Sequence, residues 1–152
     1  MPMAAAPPAS RVDILQSVVL FHALPRETLE ALAAATVERA YAGGAMVIRR
    51  GEPGDGLYIV VAGLVQVVGD EDDIDASVLA VLGPGEAFGE LALLDGKPRS
   101  ASVIAAWPAR CLFLARDAFL AHLDQHPEAA RALLRVLAGR LREMDRRLTQ
   151  RS

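Results

Sequence analysis

The chain has 152 residues and a formal net charge of −3. That is one domain's length, able to bury about 70% of its unfolded surface, with no general charge attraction toward nucleic acid. An apolar fraction of 53% suits such a core and the lone Cys111 excludes an internal disulfide, while the lack of a signal-peptide pattern and of any apolar run near ~20 residues predicts a soluble, cytoplasmic protein with no membrane partner.

Residues 1–10, rich in Ala and Pro, are expected to form a disordered tail. Val12, Leu15, Val18 and Val19 then recur at helical spacing. Leu24 to Leu32 opens a second helix, with Pro25 near its first position and Glu27 in its first turn. Residues 11–36 are thus assigned to N-terminal helices. From 37 to 116 the pattern is short apolar runs separated by glycine turns. Met46 to Ile48, Leu57 to Val61, Leu64 to Val68, Val78 to Leu82, Ala101 to Ala106 and Arg110 to Ala115 read as strands. Many short, evenly spaced strands indicate a sandwich or barrel. Asp70 to Asp75 reads as a solvated hairpin tip, because it lacks the central glycine and closing glutamate of a calcium loop. Cys111, inside an apolar run, reads as a buried and inert thiol.

Phe88 to Val103 is the most informative stretch: FGELALLDGKPRSASV. It reads as a strand end, a glycine turn, one or two turns of helix, a second turn, and an arginine leading into a new strand. A glycine at a strand-to-helix junction lets backbone N–H groups converge on an anion, and the helix N-terminus adds its positive dipole end. Arg99 carries a planar guanidinium suited to phosphate. Glu90 would repel that phosphate unless it faced something else, and an ionised carboxylate, which only accepts hydrogen bonds, is suited to a ribose hydroxyl. Phosphate and ribose side by side imply a nucleotide.

The stretch resembles the phosphate-binding cassette of the cyclic nucleotide-binding domain family, which includes the bacterial catabolite activator, the regulatory subunits of cyclic-AMP-dependent protein kinase and cyclic-nucleotide-gated channels. The resemblance implies that Gly89, Glu90, Leu91 and Ala92 present backbone amides to the cyclic phosphate, with Phe88 preceding them. It further implies that Glu90 binds the ribose 2′-hydroxyl, and that Arg99, followed by Ser100 and Ala101, pairs with the exocyclic phosphate oxygens. Gly51 to Val67 is similar to the family's first hairpin pair, its glycines marking tight turns and not ligand contacts. The resemblance extends over roughly residues 15 to 150. It implies a mainly β fold with flanking helices: an eight-stranded β-roll, or jelly roll, over 37–116, N-terminal helices over 11–36 and C-terminal helices over 117–152. The whole of 11–152 would be one cyclic nucleotide-binding domain.

His122 and His126 stand four apart, but Pro127 follows and no third ligand is evident, so they read as surface histidines at a helix end. No histidine lies on a strand, against a metal cupin, and no nucleophile elbow is present. No cofactor, metal or catalytic residue is expected, and the protein reads as a non-enzyme. From Pro127 onward one long helix follows. Ala130, Leu134, Leu137, Leu141, Met144 and Leu148 fill a heptad seam, implying a homodimer, with Arg140 at a g position opposite Asp145 of a second chain. The resemblance further implies that this helix closes over the nucleotide base, with Leu133, Leu134 and Leu137 as the lid and His126-Pro127 as the hinge. Seven arginines between 131 and 151 point around the helix and read as a solvated face, so direct DNA binding is not expected. The resulting expectation is a stand-alone receptor for cyclic AMP, or for cyclic GMP if Ser100 reaches a guanine, signalling to a downstream protein. The alternative is the sensor part of a catabolite-activator-type regulator lacking its helix-turn-helix.

Overall fold

The computed structural model describes residues 10–69 and 78–150. The expected tail, but for Ser10, and the acidic run at 70–75 lie outside the described residues. Ser10 itself is the N-cap of α1 (Arg11–Gln16), its hydroxyl accepting from the Asp13 N–H at 3.2 Å. The helical spacing through Val18 and Val19 does not extend that helix. The Ser17 hydroxyl donates to the Ile14 carbonyl at 2.6 Å, a local bond that competes with helix continuation. A 3-10 turn over Val19–Phe21 follows, leaving Val19 60% exposed. Helix α2 (Arg26–Ala35) starts directly after Pro25, which stands at the N-cap.

Eight strands follow among the described residues: β1 (Val37–Tyr41), β2 (Met46–Ile48), β3 (Gly56–Ala62), β4 (Val65–Val68), β5 (Val78–Leu82), β6 (Ala87–Phe88), β7 (Ser102–Ala105) and β8 (Ala109–Ala115). They form two four-stranded antiparallel sheets, in the orders β1-β8-β3-β6 and β2-β7-β4-β5. This is the β-roll the sequence implied, with two strands beyond the six read from apolar runs. β1, Val-Glu-Arg-Ala-Tyr, is an edge strand with four exposed residues, held by its ladder to β8 and not by an apolar face. β6 is only two residues long, so no alternation could mark it.

The two central strands, β3 and β8, carry near-continuous apolar sequence because both of their faces are covered. Leu57, Ile59, Leu112 and Leu114 point to a core shared with Leu15, Phe21, Leu29 and Phe119 of the helices. Tyr58, Val60, Cys111 and Phe113 alternate with them and fill the inside of the roll. Cys111 is fully buried, and burial pushes its thiol up to about 11. Helix α3 (Glu90–Asp95) lies between β6 and β7; α4 (Arg116–Gln125) and α5 (Pro127–Gln150) end the chain. His126, at φ −133° and ψ 79°, breaks the helix between them. Its ring stacks on that of His122 at 4.4 Å between centroids. No described helix is long and apolar enough to cross a membrane.

Phe119 joins the C-terminal helices to the N-terminal ones: it is fully buried, with its ring 5.9 Å from that of Phe21. Phe119→Ala is expected to cost about 3–5 kcal/mol. Leu148→Ala, at a residue 64% exposed, should cost under ~0.5 kcal/mol in a monomer. Urea denaturation of the two variants beside the wild type measures both.

Candidate functional site

The site is built where β6 meets α3. Gly89, at φ +87°, is the left-handed N-cap of α3. A Cβ there would lie 2.5 Å from Arg99 Nη1 and 2.9 Å from the Gly56 carbonyl oxygen. Conformation and close approach both demand glycine at this position. Phe88 is buried before it, its ring stacked at 5.0 Å on Tyr58, whose other neighbour is Phe113 at 4.9 Å. Burial pushes the Tyr58 hydroxyl up to about 12, so it stays neutral, and it accepts a hydrogen bond from Arg39 Nη1 at 2.9 Å.

Arg99 is only 6% exposed. Its Nη2 donates to the Gly56 carbonyl at 2.7 Å and to Asp55 Oδ1 at 3.0 Å. Its backbone is pinned as well: the Arg99 N–H donates to the Glu52 carbonyl at 2.8 Å, and the Gly51 N–H donates to the Arg99 carbonyl at 2.9 Å. The rest of the guanidinium is different, since Nε and Nη1 are buried with no hydrogen-bond partner among the described residues. A buried polar group without a partner costs free energy, and more so when charged. The guanidinium therefore keeps N–H groups that can donate to the oxygens of a phosphate.

Glu90 opens α3. Its Oε2 accepts from Arg140 Nη1 of α5 at 3.1 Å. Arg140, at a g position of the expected dimer seam, is thus bonded inside its own chain. A carboxylate accepts more than one hydrogen bond, so this contact leaves acceptor capacity for a sugar hydroxyl. Ala92 is buried and Leu91 is 76% exposed, so α3 turns one face to the core and one outward. Ser100 is exposed and Ala101 half-buried, beside Arg99 in the chain.

The three leucines expected as a lid divide. Leu133 is buried in the helix-side core that also holds Leu93 of α3, Leu137 packs against that core, and Leu134 is 64% exposed. Three positions that contact the candidate site were not placed there by sequence. Asp55 and Gly56 sit in a glycine-rich turn that reads as punctuation between strands. Yet a Cβ on Gly54 would lie 2.4 Å from the Lys97 carbonyl oxygen and 2.5 Å from Ala92 Cβ, so this loop packs directly on α3 and the turn after it. Helical spacing puts Arg140 at a g position of the seam, and nothing in that spacing pairs it with Glu90.

The family profile described as "Cyclic nucleotide-binding domain" matches residues 38–126. A "CRP-like cAMP-activated global transcriptional regulator" of Mycobacterium tuberculosis (strain CDC 1551 / Oshkosh) is 33% identical over 90% of this chain and 61% of its own length. The N-terminal domain of a transcriptional regulator from Streptomyces coelicolor A3(2) superposes with a TM-score of 0.80 at 39% identity, covering 87% of this chain and 94% of that one. The regulatory domain of Toxoplasma gondii PKA, crystallised with cAMP, gives a TM-score of 0.70 at 34% identity over 80% of this chain and 46% of that one. The chain spans 61% and 58% of the length of two of the curated relatives it matches, and 20% and 34% of two others. With the cassette in place at Gly89, Glu90 and Arg99 and the profile covering more than half of its residues, the chain belongs to the cyclic nucleotide-binding domain family.

Proposed function

We propose that the chain is a receptor for cyclic AMP, working by binding and not by catalysis. One observation carries this reading: an arginine only 6% exposed, whose Nε and Nη1 have no hydrogen-bond partner among the described residues and whose Nη1 lies against Gly89 at the start of α3. The cyclic phosphate would complete Arg99, the amides from Gly89 to Ala92 would bind its remaining oxygens, and Glu90 would accept from the ribose 2′-hydroxyl. Relatives crystallised with or named for cAMP favour that nucleotide over cyclic GMP.

Arg99→Ala should weaken cyclic AMP binding by about 3–4 kcal/mol, or two to three orders of magnitude, by calorimetric titration. The fold should persist. Loss of the bonds to the Gly56 carbonyl and Asp55 is offset by removal of a buried charge with two unpartnered nitrogens. A folded variant that binds as tightly as the wild type would sink the assignment.

Glu90→Gln should cost about 1.5–3 kcal/mol, the range for a bond to a charged group. A 2′-deoxy analogue should bind the wild type more weakly than cyclic AMP does, yet distinguish the two nucleotides much less in the variant. Equal discrimination in both proteins would place Glu90 away from the ribose.

Output would run through α5. Its link to the site is the Arg140–Glu90 ion pair, and its exposed seam of Leu141, Met144 and Leu148, each 58–64% open to solvent, suits a second copy of the helix. Ligand would reposition Glu90, and Arg140 would carry the change into the helix. Hydrogen exchange should show protection rising at Gly89 to Ala92 and also along Arg131 to Leu141 on binding. Protection confined to the cassette would argue that α5 takes no part. A second reading is that the domain serves as sensor of a catabolite-activator-type regulator, favoured by the transcription regulators among its relatives. DNA binding by the natural protein, followed by fluorescence anisotropy with and without cyclic AMP, separates it from a receptor acting on a protein.

A further inference from the structure

Helix α3 has six residues, too few to hold a direction on its own. Something outside it must set where its first amides point. Its last-turn carbonyls also need partners from elsewhere. Arg116, the first residue of α4, supplies one: its Nη2 donates to the Leu94 carbonyl at 3.1 Å. Gly96 makes the room. It is the left-handed C-cap of α3 at φ +67°, and a Cβ there would stand 3.0–3.2 Å from Arg116 Cζ, Nε and Nη1. A cation at this end also meets the negative end of the helix dipole. The Arg116 Nε is buried without a partner among the described residues. An arginine serving only solubility would swing out to water instead.

The same residue reaches the other half of the site. Its backbone N–H donates to the Asp55 carbonyl at 2.9 Å, and the Asp55 carboxylate is the group that holds Arg99 Nη2. One residue thus ties the C-terminal end of α3 to the backbone of the residue that orients Arg99.

We infer that Arg116 is a positioning residue for the phosphate site. It fixes α3 and Asp55 relative to each other, so that the amides after Gly89 and the unpartnered nitrogens of Arg99 are positioned for one phosphate. Arg116 touches no ligand, and its role in affinity rests on the receptor reading above. The test compares Arg116→Met and Arg116→Lys with the wild type in the full chain. It uses calorimetric titration with cyclic AMP, the ³¹P resonance of the bound nucleotide, and hydrogen exchange without nucleotide. Arg116→Met should bind about tenfold more weakly, shift the ³¹P resonance, and exchange faster over residues 90–96 while the β-strands keep their protection. Arg116→Lys, which keeps the cation and a donor for the Leu94 carbonyl but loses the planar group packed against Gly96, should fall between the wild type and Arg116→Met in each measurement. A folded Arg116→Met protein with wild-type affinity, resonance and exchange overturns the proposal. Should that variant not fold, Arg116→Lys decides alone. An affinity loss of about two- to fivefold with faster exchange confined to 90–96 supports the role, and wild-type behaviour overturns it. Failure of the wild type to bind any cyclic nucleotide would instead overturn the receptor reading. The exchange comparison, made without nucleotide, would still decide whether Arg116 holds α3.

Discussion

The burial of the Arg99 guanidinium is the constraint around which the rest of the site is arranged. A charge at that depth is tolerated only if its N–H groups are matched. Half of the match is internal: the Gly56 carbonyl and the Asp55 carboxylate take Nη2. To place those two acceptors, the chain must bring the start of β3 under the cassette, and Gly54 and Gly56 lack side chains because Lys97, Ala92, Phe113 and Leu114 lie against them. To admit Nη1, position 89 must be glycine. On the receptor reading, the unmatched nitrogens, Nε and Nη1, are what give the protein a use for an anion. The internal bonds hold the guanidinium in one orientation, so a ligand would not have to order it, which is the physical content of preorganisation.

The β-roll alone does not define this geometry. The short helix that carries the amides is gripped from both ends by the C-terminal helices: Arg140 of α5 bonds Glu90 at its start, and Arg116 of α4 bonds the Leu94 carbonyl at its finish. Leu93, on the inner face of α3, belongs to the core that contains Phe119 and Leu133 of the same two helices. Cassette and C-terminal helices therefore form one mechanical unit, packed on the outer face of the sheet that β3 and β8 centre. On the receptor reading, a displacement at the phosphate would not stay local to α3, because each of its ends and its buried face is held by a residue of α4 or α5.

How far this was legible in the sequence depended on range. Gly89, Glu90 and Arg99 could be picked out because ten or so consecutive positions carried the pattern, and local chemistry gave each a role. The continuous apolar runs of β3 and β8 read correctly as strands, whereas β1 did not. Its stability is in the ladder to β8, 72 residues away along the Glu38–Arg110 pair, and a ladder leaves no mark in a polar sequence. Asp55, Arg116 and the contact of Arg140 with Glu90 were invisible for the same reason. Each acts on a residue between 22 and 50 positions distant, and only the fold says which of many arginines arrives. Leu133, which the resemblance implies as part of a lid, is turned into the core that also holds Leu93 of α3.

The two halves of α5 differ in what they can do. Up to Leu137 the helix is anchored, with Ala129, Ala132 and Leu133 buried. From Ala138 to Gln150 every residue is exposed. Arg140 stands just past this boundary, and it is the residue that bonds Glu90. The contact thus acts where the helix leaves the body of the protein, close to the pivot of a free arm. Ten residues beyond Arg140 extend about 15 Å at the helical rise. A tilt of about 10° at the pivot would move the tip by about 2.5 Å, comparable to the shifts at helix interfaces that distinguish allosteric states. If Glu90 holds the ribose as proposed, a small change there would be enough to realign Leu141, Met144 and Leu148, the apolar residues that the chain itself leaves uncovered.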